Sequence, residues 1–384
     1  MKLLIVIYSL QHGGAERVVA NLSALWSARG YEVTVATLAS KATDFYVLDK
    51  SIRRLSLEVA GESIGVGNAL VANLRRILAL RRVLRRVGPD IVIGVETTAS
   101  LLSIFASRGL RCKVIATEHI HPPMLPLGRV WTTVRRYAYP SADHVVALTE
   151  KTRAWLEQHC RCKNVKVIPN AVSLPIPVFD PVLEPESIVV PGRRMLLAAG
   201  RFTTQKGFDC LISAFSQIAT DQPQWDLVIL GDGAARSALE RQIADAGLER
   251  RVFMPGQVGN VAQWYARADL YVMSSRFEGF PMTLLEAMAS GCAVVSYDCD
   301  TGPRDLIKHG ENGLLVEPVG EATSLARALS ELMTNDDERV RLASNARDVA
   351  DAFSPVRTLR MWYDLFAEAG VQDVACRADQ WVSK

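Results

Sequence analysis

Short apolar runs alternate with helix-like patterns along the chain. Six runs in the first half have the length of buried strands, and they lie at residues 3–7, 32–38, 90–94, 113–117, 144–148 and 165–168. The pattern then starts again, with six further runs at residues 195–199, 227–230, 251–254, 270–273, 293–296 and 313–316. Strands that alternate with helices in this way are typical of parallel sheets covered on both faces. The sequence therefore predicts an α/β fold with two doubly wound parallel-sheet domains in tandem.

A proline-rich stretch separates the two halves. Prolines recur between Pro169 and Pro191, and we interpret residues 173–190 as an interdomain linker. Parallel sheets of this kind bind ligands beyond the carboxyl ends of their strands. We therefore expect two facing domains with a ligand site in the cleft between them, built from motifs on both sides.

Composition narrows the class of protein. The 384 residues are 49% hydrophobic and 22% charged, as in a soluble globular protein with room for two domains. A net charge of +3 is too small to indicate a nucleic-acid partner. Seven scattered cysteines form neither a disulfide framework nor a zinc motif, which indicates a reducing compartment. No apolar segment approaches the ~20 residues of a membrane span, and the apolar start reads as a buried strand rather than a signal peptide.

The segment SRFEGFPMTLLEAMASG, at residues 275–291, is the most informative part of the chain. Pro281 suits the first position of a helix, and Gly291 suits the left-handed residue after its last turn. Glu278 then lies in the preceding loop, and Glu286 lies about 7.5 Å along the helix axis from Pro281 at roughly 1.5 Å per residue. The free N–H groups at Met282, Thr283 and Leu284 favour an anion such as a diphosphate. One sugar-bearing nucleotide diphosphate could contact all these groups, although an ordinary amphipathic helix has the same spacing.

Two further strand-to-helix junctions carry candidate ligand contacts. The first apolar run leads into Gly13 and Gly14, where the backbone can approach a ligand before a helix that begins near Glu16. A plain turn would look the same, and the spacing does not fit a dinucleotide fingerprint. In the second half, Arg201 follows a strand and Lys206 precedes a helix, so both cations could neutralise a leaving diphosphate or could simply be solvated.

Taken together, these motifs resemble glycosyltransferase family 4. The resemblance covers nearly the whole chain, and it rests on the Glu-x7-Glu segment at residues 278–286 and on HGGAER at 12–17, TEH at 117–119, VIPN at 167–170, GRFTTQKGFD at 200–209 and GPRDLIKHGENGLLV at 302–316. It implies the GT-B fold with two Rossmann-like domains. Their expected bounds are residues 1–172 with a terminal helix at 355–370 crossing back, and residues 191–354, followed by a tail at 371–384 without an assigned role.

The resemblance also implies roles for individual residues. Gly13 and Gly14 are expected to face the donor diphosphate, and Arg201 with Lys206 to bind its oxygens. Glu278 is expected to contact the donor sugar in a pocket that Gly279, Phe280 and Pro281 shape. Glu286 is expected to hold the ribose hydroxyls.

Two further sets of residues bear on the reaction, and each allows an alternative. His119 matches the histidine that the family places beside the reacting sugar, and His121 competes for that role. Asp298 and Asp300 form an Asp-x-Asp pair that could bind a divalent metal through oxygen. The resemblance places this pair in a loop of a metal-independent fold, so neither a metal nor another cofactor is expected.

The implied reaction is transfer of a hexose or N-acetylhexosamine with retention of anomeric configuration. A UDP-sugar is the favoured donor and GDP-mannose the second, and the expected acceptor is a polyprenyl-diphosphate-linked or lipid A-type saccharide in surface polysaccharide or glycan assembly. Catalysis would consist of positioning and stabilisation of the departing diphosphate. A sugar-nucleotide epimerase and a non-catalytic partner subunit of the same fold remain alternatives.

A basic amphipathic pattern at residues 68–87 bears on the acceptor. At ~100° per residue, five of its arginines fall on one side, with Arg76 apart, and they are Arg75, Arg81, Arg82, Arg85 and Arg86. Such a helix suits anionic lipid or a lipid-linked diphosphate, although a core helix with a solvated cationic face is equally consistent. We expect a cytoplasmic protein that associates peripherally with the inner membrane and binds no nucleic acid.

Overall fold

The computed structural model describes residues 1–61 and 66–371, and the expected tail lies outside the described residues from position 372 onward. The described chain divides into two compact units. The first contains residues 1–171 and the helix that begins at Pro355, and the second contains Val172–Ser354.

The first unit is built on a seven-stranded parallel sheet. Its strands are β1 (Lys2–Ile7), β2 (Glu32–Thr37), β3 (Arg53–Ser56), β4 (Ile91–Val95), β5 (Lys113–Glu118), β6 (His144–Ala147) and β7 (Val165–Val167). Its first helices are α1 (Gly14–Ser27), α2 (Val66–Val87), α3 (Glu96–Ser107), α4 (Arg129–Ala138) and α5 (Glu150–Cys160). The strand order is β3-β2-β1-β4-β5-β6-β7, so the order reverses between β1 and β4.

The second unit repeats the plan with six parallel strands. They are β8 (Arg194–Ala199), β9 (Trp225–Leu230), β10 (Val252–Gly256), β11 (Leu270–Met273), β12 (Val294–Tyr297) and β13 (Leu314–Val316), in the order β10-β9-β8-β11-β12-β13. The helices of this unit are α6 (Phe208–Ile218), α7 (Arg236–Asp245), α8 (Val261–Arg267), α9 (Met282–Ala289), α10 (Pro303–Leu306), α11 (Ala322–Thr334), α12 (Asp336–Ala346) and α13 (Val349–Ala352). The predicted fold class, two doubly wound parallel-sheet domains, is confirmed.

The last helix, α14 (Pro355–Glu368), belongs to the first unit. It packs beside α1 on one face of the first sheet, where Trp26 of α1 meets Trp362 with ring centroids 5.5 Å apart. Tyr31 stacks on Tyr363 at 5.8 Å in the same cluster. Aromatic burial of this kind supplies much of the core energy of a domain, so α14 is part of the first unit's core.

Two features of the fold differ from the sequence prediction. β3 was not predicted, because its sequence RRLS is half arginine and it lies at the sheet edge, where only partial burial is required. The expected linker at 173–190 packs on the second unit. Its Phe179 N–H donates to the Gly259 carbonyl at 3.1 Å, and the Leu183 carbonyl accepts from the Trp264 indole at 3.1 Å.

Candidate active site

The loops after β8 and β11 meet at the point where the strand order of the second sheet reverses. β8 and β11 are neighbours there, although β9 and β10 separate them along the chain. The loop after β8 carries Arg201 and Lys206, and the loop after β11 carries Glu278. Open α/β sheets bind ligands at such switch points, beyond the carboxyl ends of the strands.

Lys206 and Glu278 form an ion pair across this point. The Lys206 ammonium donates to Glu278 Oε1 at 2.6 Å, and their side chains are 19% and 8% exposed. Ser275 Oγ donates to the same oxygen at 2.6 Å, and the Thr301 hydroxyl donates to the Glu278 backbone carbonyl. A buried carboxylate needs such partners, because an unpaired charge away from water is costly. The structure therefore brings together two residues, predicted separately, that lie 72 positions apart.

Arg201 lies at the other side of the same loop. Its side chain is exposed, and within the described parts of the chain no hydrogen bond or ion pair of its guanidinium is found. It follows Gly200, the first residue after β8, which has a φ of +159°. It precedes Phe202, which is fully buried. An exposed cation at the mouth of a sheet can reach a phosphate without first breaking another ion pair.

Helix α9 begins one residue later than the sequence predicted. Pro281 is the N-cap, with φ −79° and ψ 95°, and Met282 is the first helical residue. The left-handed residue after the helix is Gly291, with φ +86°, as predicted. Thr283 is partly exposed, whereas Leu284 is fully buried, so any ligand contact at Leu284 must use its backbone.

Glu286 lies on α9 and is only 2% exposed. Its Oε2 accepts a hydrogen bond from Tyr265 Oη at 3.2 Å, and Tyr265 belongs to α8. The aromatic ring of Tyr265 packs edge-on against Tyr271 of β11, with centroids 5.9 Å apart. A second element therefore orients the Glu286 carboxylate, a contact that the Glu-x7-Glu spacing did not reveal.

The residues between Glu278 and α9 pack tightly. Gly279 is buried, and the Phe280 ring is 6% exposed and lies 5.4 Å from the ring of Phe353. Gly302, with φ +95°, approaches Pro281 so closely that a Cβ there would lie 2.5 Å from Pro281 Cδ. These core contacts fix the backbone of this segment, and the Phe280 ring is one of the groups that make them.

In the first unit, Gly13 and Gly14 follow β1 and begin α1. Gly13 is the N-cap of the helix, and Gly14 is its first residue and is exposed. A Cβ at Gly13 would overlap the Glu16 carboxylate, which lies over this helix end. A Cβ at Gly14 would meet open space. The backbone at Gly14 is therefore open to a ligand, whereas the Glu16 side chain covers Gly13.

His119 directly follows β5 and is partly exposed. Its Nε2 lies 3.1 Å from Thr117 Oγ1, and it lines a cavity whose other walls include Asn170, Trp362 and many apolar side chains. Burial lowers the pKa of His119 to about 4, so the imidazole is neutral near pH 7. His121 is more deeply buried, and its Nδ1 lies 3.1 Å from Thr152 Oγ1, a structural contact of α5.

A buried polar cluster lies beside His119 and was not predicted. Glu118 accepts hydrogen bonds from Tyr139 at 2.5 Å and from Thr97 at 2.9 Å, and the Arg135 guanidinium lies 3.7 Å away. Burial raises the pKa of Glu118, while the nearby Arg135 lowers it. The residues are 17 or more positions apart from Glu118 in the chain, so no local sequence signal identifies the cluster.

The basic side of α2 is only partly as predicted. Arg75, Arg82, Arg85 and Arg86 are exposed. Arg81 instead is half-buried and donates to the carbonyls of Ala106 and Arg108, both at 2.7 Å, at the end of α3.

Arg76 is buried and donates to the carbonyls of Val59 and Gly61. Exposed apolar side chains lie among the free arginines, and they are Leu70, Val71, Leu74 and Leu78. Among the described residues, no helix is both long and apolar enough to cross a bilayer.

Asp298, the first carboxylate of the Asp-x-Asp pair, forms an ion pair with an arginine of the protein. Asp298 Oδ1 accepts from Arg304 at 2.7 Å, and Arg304 also pairs with Glu317 at 2.7 Å. No cluster of three or more potential metal ligands is found in residues 1–61 and 66–371. The carboxylate of Asp298 is therefore already neutralised.

Two family models match this chain over most of its length. Residues 12–174 match the model described as Glycosyltransferase Family 4, and residues 183–349 match the model described as Glycosyl transferases group 1. The first match covers β2 to β7 of the first sheet, and the second match covers all six strands of the second sheet.

Several individual proteins are also similar to this chain. An exopolysaccharide phosphotransferase of Streptomyces coelicolor is 33% identical over 75% of this chain, which spans only 30% of that relative's length. A Campylobacter jejuni enzyme, named as an alpha-1,4-N-acetyl-D-galactosaminyltransferase for a saccharide on PP-undecaprenol, is 27% identical and covers 96% of this chain and 99% of itself. The crystal structure of Anabaena HepE with UDP and glucose has a TM-score of 0.75 at 22% identity, over 96% of this chain and 99% of that chain.

Proposed function

This chain belongs to glycosyltransferase family 4, with the two Rossmann-like domains of the GT-B fold, and we propose that it is a retaining enzyme for a nucleotide-diphosphate sugar. The transferred group is a hexose or N-acetylhexosamine. A UDP-sugar is the favoured donor and GDP-mannose the second. The acceptor is a lipid-linked saccharide in surface polysaccharide or glycan assembly.

The observation that carries this proposal is the Lys206–Glu278 ion pair at the β8/β11 switch point. Among residues 1–61 and 66–371, the hydrogen bonds to the Glu278 carboxylate use Oε1, which leaves Oε2 available for a sugar hydroxyl. The Lys206 ammonium has three donors and engages one of them with Glu278, so it can also bind a phosphate oxygen. One ammonium then connects the sugar-binding carboxylate to the leaving group.

The remaining donor contacts follow from charge and position. Arg201 binds the diphosphate as a second cation, and the N-terminal N–H groups of α9 add partial positive charge. Glu286, oriented by Tyr265, accepts hydrogen bonds from the ribose hydroxyls. These groups neutralise the diphosphate without a metal ion.

In the first unit, Gly13 and Gly14 present backbone to the diphosphate, and His119 contacts the donor sugar. The lowered pKa keeps His119 uncharged near pH 7. A neutral imidazole offers one donor and one acceptor to sugar hydroxyls and brings no positive charge to the reacting carbon. This is the environment that an oxocarbenium-like transition state favours.

The reaction proceeds on one face of the sugar. The bond between the anomeric carbon and the phosphate oxygen breaks, and the acceptor oxygen forms its bond on the same face. The acceptor hydroxyl gives its proton to the departing phosphate oxygen, whose charge Arg201 and Lys206 stabilise. Catalysis therefore consists of positioning and of stabilising the leaving group.

The proposed acceptor rests on a relative and on α2. The Campylobacter jejuni relative is named for a saccharide on PP-undecaprenol, and it matches this chain over almost its full length. Exposed arginines and leucines share the outer side of α2, a combination that suits the boundary between lipid headgroups and acyl chains. We place the enzyme peripherally on the cytoplasmic face of the inner membrane.

A donor screen tests the proposed function. Thermal unfolding of the purified protein is measured with UDP, GDP, ADP and their common sugar conjugates, for wild type and for Glu286→Ala. A nucleotide at 100 times its dissociation constant adds about 2.7 kcal/mol to the free energy of unfolding. Glu338→Ala, at a partly exposed residue of α12 that pairs with Arg341, is the control.

We expect one nucleotide to stabilise the wild type and Glu338→Ala, and to stabilise Glu286→Ala much less. Transfer from that nucleotide's sugar conjugate to an undecaprenyl-diphosphate-linked saccharide then identifies the reaction. Epimerisation of the donor without any acceptor, or no stabilisation by any nucleotide, would contradict the proposal.

A further inference from the structure

Arg276 connects the two loops that carry Lys206 and Glu278. Its Nη1 donates to the Thr204 carbonyl at 2.7 Å and to Asp209 Oδ1 at 2.9 Å, and its Nη2 donates to Asp209 Oδ2 at 2.7 Å. Its backbone N–H donates to the Gln205 carbonyl at 2.8 Å. Arg276 therefore binds residues on both sides of Lys206.

Further hydrogen bonds and a close backbone contact join the same two loops. Gln205 Nε2 donates to the Phe277 carbonyl at 3.0 Å, and Ser274 Oγ donates to the Lys206 carbonyl at 2.9 Å. Gly207, with φ +63°, lies so close that a Cβ there would overlap the Ser274 carbonyl oxygen. The loops are in contact along their length, and the Arg276 side chain provides the charged part of that contact.

We propose that Arg276 is a positioning residue which, together with Asp209, holds the Lys206 loop in register with Glu278. The side chain acts through Lys206 and does not touch the donor. Its importance for catalysis rests on the proposed function, whereas its effect on Lys206 does not.

The geometry favours arginine over lysine at position 276. The guanidinium makes two parallel hydrogen bonds to the Asp209 carboxylate and a third to the Thr204 carbonyl, which a single ammonium cannot reproduce. The hydrogen bonds from Arg276, together with its charge, lower the pKa of Asp209, so this pair stays ionised in the neutral range. Arg276→Lys therefore should not restore what Arg276→Ala loses.

The second unit contains a matched control. Arg194 makes a bidentate pair with Asp336 at 2.7 and 2.6 Å, and these side chains are 29% and 57% exposed. The corresponding values for Arg276 and Asp209 are 30% and 50%. Arg194 begins β8 and so lies at the opposite end of the strand from the candidate site. Arg194→Ala therefore removes a similar ion pair without touching either loop.

Acetylation of the ligand-free full-length protein tests the positioning without any assay of activity. Mass spectrometry follows the rate at which acetic anhydride modifies Lys206 in wild type, Arg276→Ala, Arg276→Lys and Arg194→Ala. Glu278→Gln provides the rate expected when the ion pair is lost. We expect Lys206 to react roughly three- to tenfold faster in both Arg276 variants, and at the wild-type rate in Arg194→Ala. Equal rates in Arg276→Ala and Arg194→Ala would overturn the proposal.

Steady-state kinetics with UDP-glucose and UDP-N-acetylglucosamine then measure the consequence for transfer. We expect kcat to fall about 10- to 100-fold in Arg276→Ala while KM for the donor stays within about threefold. In the variant, Lys206 is out of position and stabilises the charge of the departing diphosphate less well in the chemical step. Wild-type kcat in Arg276→Ala would also overturn the proposal. If the wild type transfers neither sugar but Lys206 still becomes more reactive in Arg276→Ala, these two donors are excluded and the positioning by Arg276 is supported.

Discussion

Tyr265 Oη donates a hydrogen bond to Glu286 Oε2 at 3.2 Å, and both groups are almost completely buried. The two residues come from α8 and α9, on different sides of β11 in the chain. This hydrogen bond from a separate helix helps to fix the orientation of the Glu286 carboxylate. The proposed ribose contact therefore depends on a tyrosine that lies outside the Glu-x7-Glu motif.

Replacing Tyr265 by phenylalanine should weaken nucleotide binding through Glu286. Loss of a hydrogen bond to a charged group typically costs about 1.5 to 3 kcal/mol, so we expect at least a several-fold rise in the UDP dissociation constant. Calorimetric titration with UDP and with 2′-deoxy-UDP measures the effect. The preference for UDP over the deoxy compound should shrink in Tyr265→Phe and be unchanged in the exposed control Tyr137→Phe. An unaltered preference in Tyr265→Phe would contradict the assignment.

Replacing Lys206 by alanine should affect both turnover and stability. The loss of one group that stabilises a developing charge typically lowers kcat by ~10²- to 10³-fold. The Glu278 carboxylate is left buried without its cation, which is destabilising in itself. The double variant Lys206→Ala with Glu278→Gln should recover stability, measured by thermal unfolding, but not activity. Recovery of kcat in the double variant would show that neither residue contacts the donor.

The environment of His119 predicts a pH effect on stability. In the unfolded chain the imidazole titrates near its ordinary pKa of about 6.5, whereas in the folded protein its pKa is about 4. Between these values the unfolded state binds a proton that the folded state does not, so stability falls as the pH falls from 6.5 to 4. Above about pH 6.5 this contribution is absent.

We expect His119→Gln to remove this pH-dependent contribution. The free energy of unfolding of the variant minus that of the wild type should then be on the order of 2 kcal/mol larger at pH 4 than at pH 7. Nuclear magnetic resonance of the imidazole signals, assigned with His119→Gln, gives the pKa directly. His159→Gln, at an exposed position of α5, serves as the control substitution. A His119 pKa of 6 or higher would show that the ring is more solvated than the structure indicates.

Much of the fold was predictable because burial on both faces of a parallel sheet requires continuous apolar runs. All twelve predicted runs overlap strands. β3 was not predicted because an edge strand tolerates two arginines. The proline-rich segment was recognised as irregular, but prolines do not reveal which unit such a segment packs on. Packing partners depend on distant parts of the chain, which local patterns do not encode.

The candidate site was predictable to a similar extent. Lys206 and Glu278 were placed at strand ends, but their ion pair depends on the neighbouring positions of β8 and β11 in the sheet. Helical periodicity grouped Arg81 with the solvated arginines, because it gives the side of the helix and not what lies beside it. The carbonyls at the end of α3 that bind Arg81 belong to another element.

The outer side of α2 predicts binding to anionic membranes. Vesicles of phosphatidylglycerol and phosphatidylcholine should sediment the wild type, and binding should weaken as salt is raised. Each arginine near such a surface contributes about 1 kcal/mol, so Arg82→Gln with Arg85→Gln should weaken binding by roughly tenfold or more. The double variant Arg241→Gln with Arg250→Gln, exposed in the second unit, should bind like the wild type. Equal loss in both double variants would indicate attraction by net charge alone.

The place of α14 in the first unit has a consequence for biogenesis. The ribosome makes β1 to β7 first, then the whole second unit, and only then Trp362, Tyr363 and Phe366, which cover one face of the first sheet. The second unit is continuous in sequence and is complete before that helix emerges. During synthesis the apolar surface around Trp26 therefore stays without its final cover for about 180 residues, roughly 10 to 40 seconds of elongation at ~5 to 20 residues per second. Transiently exposed apolar surface is prone to aggregation, and α14 completes the domain that was begun first.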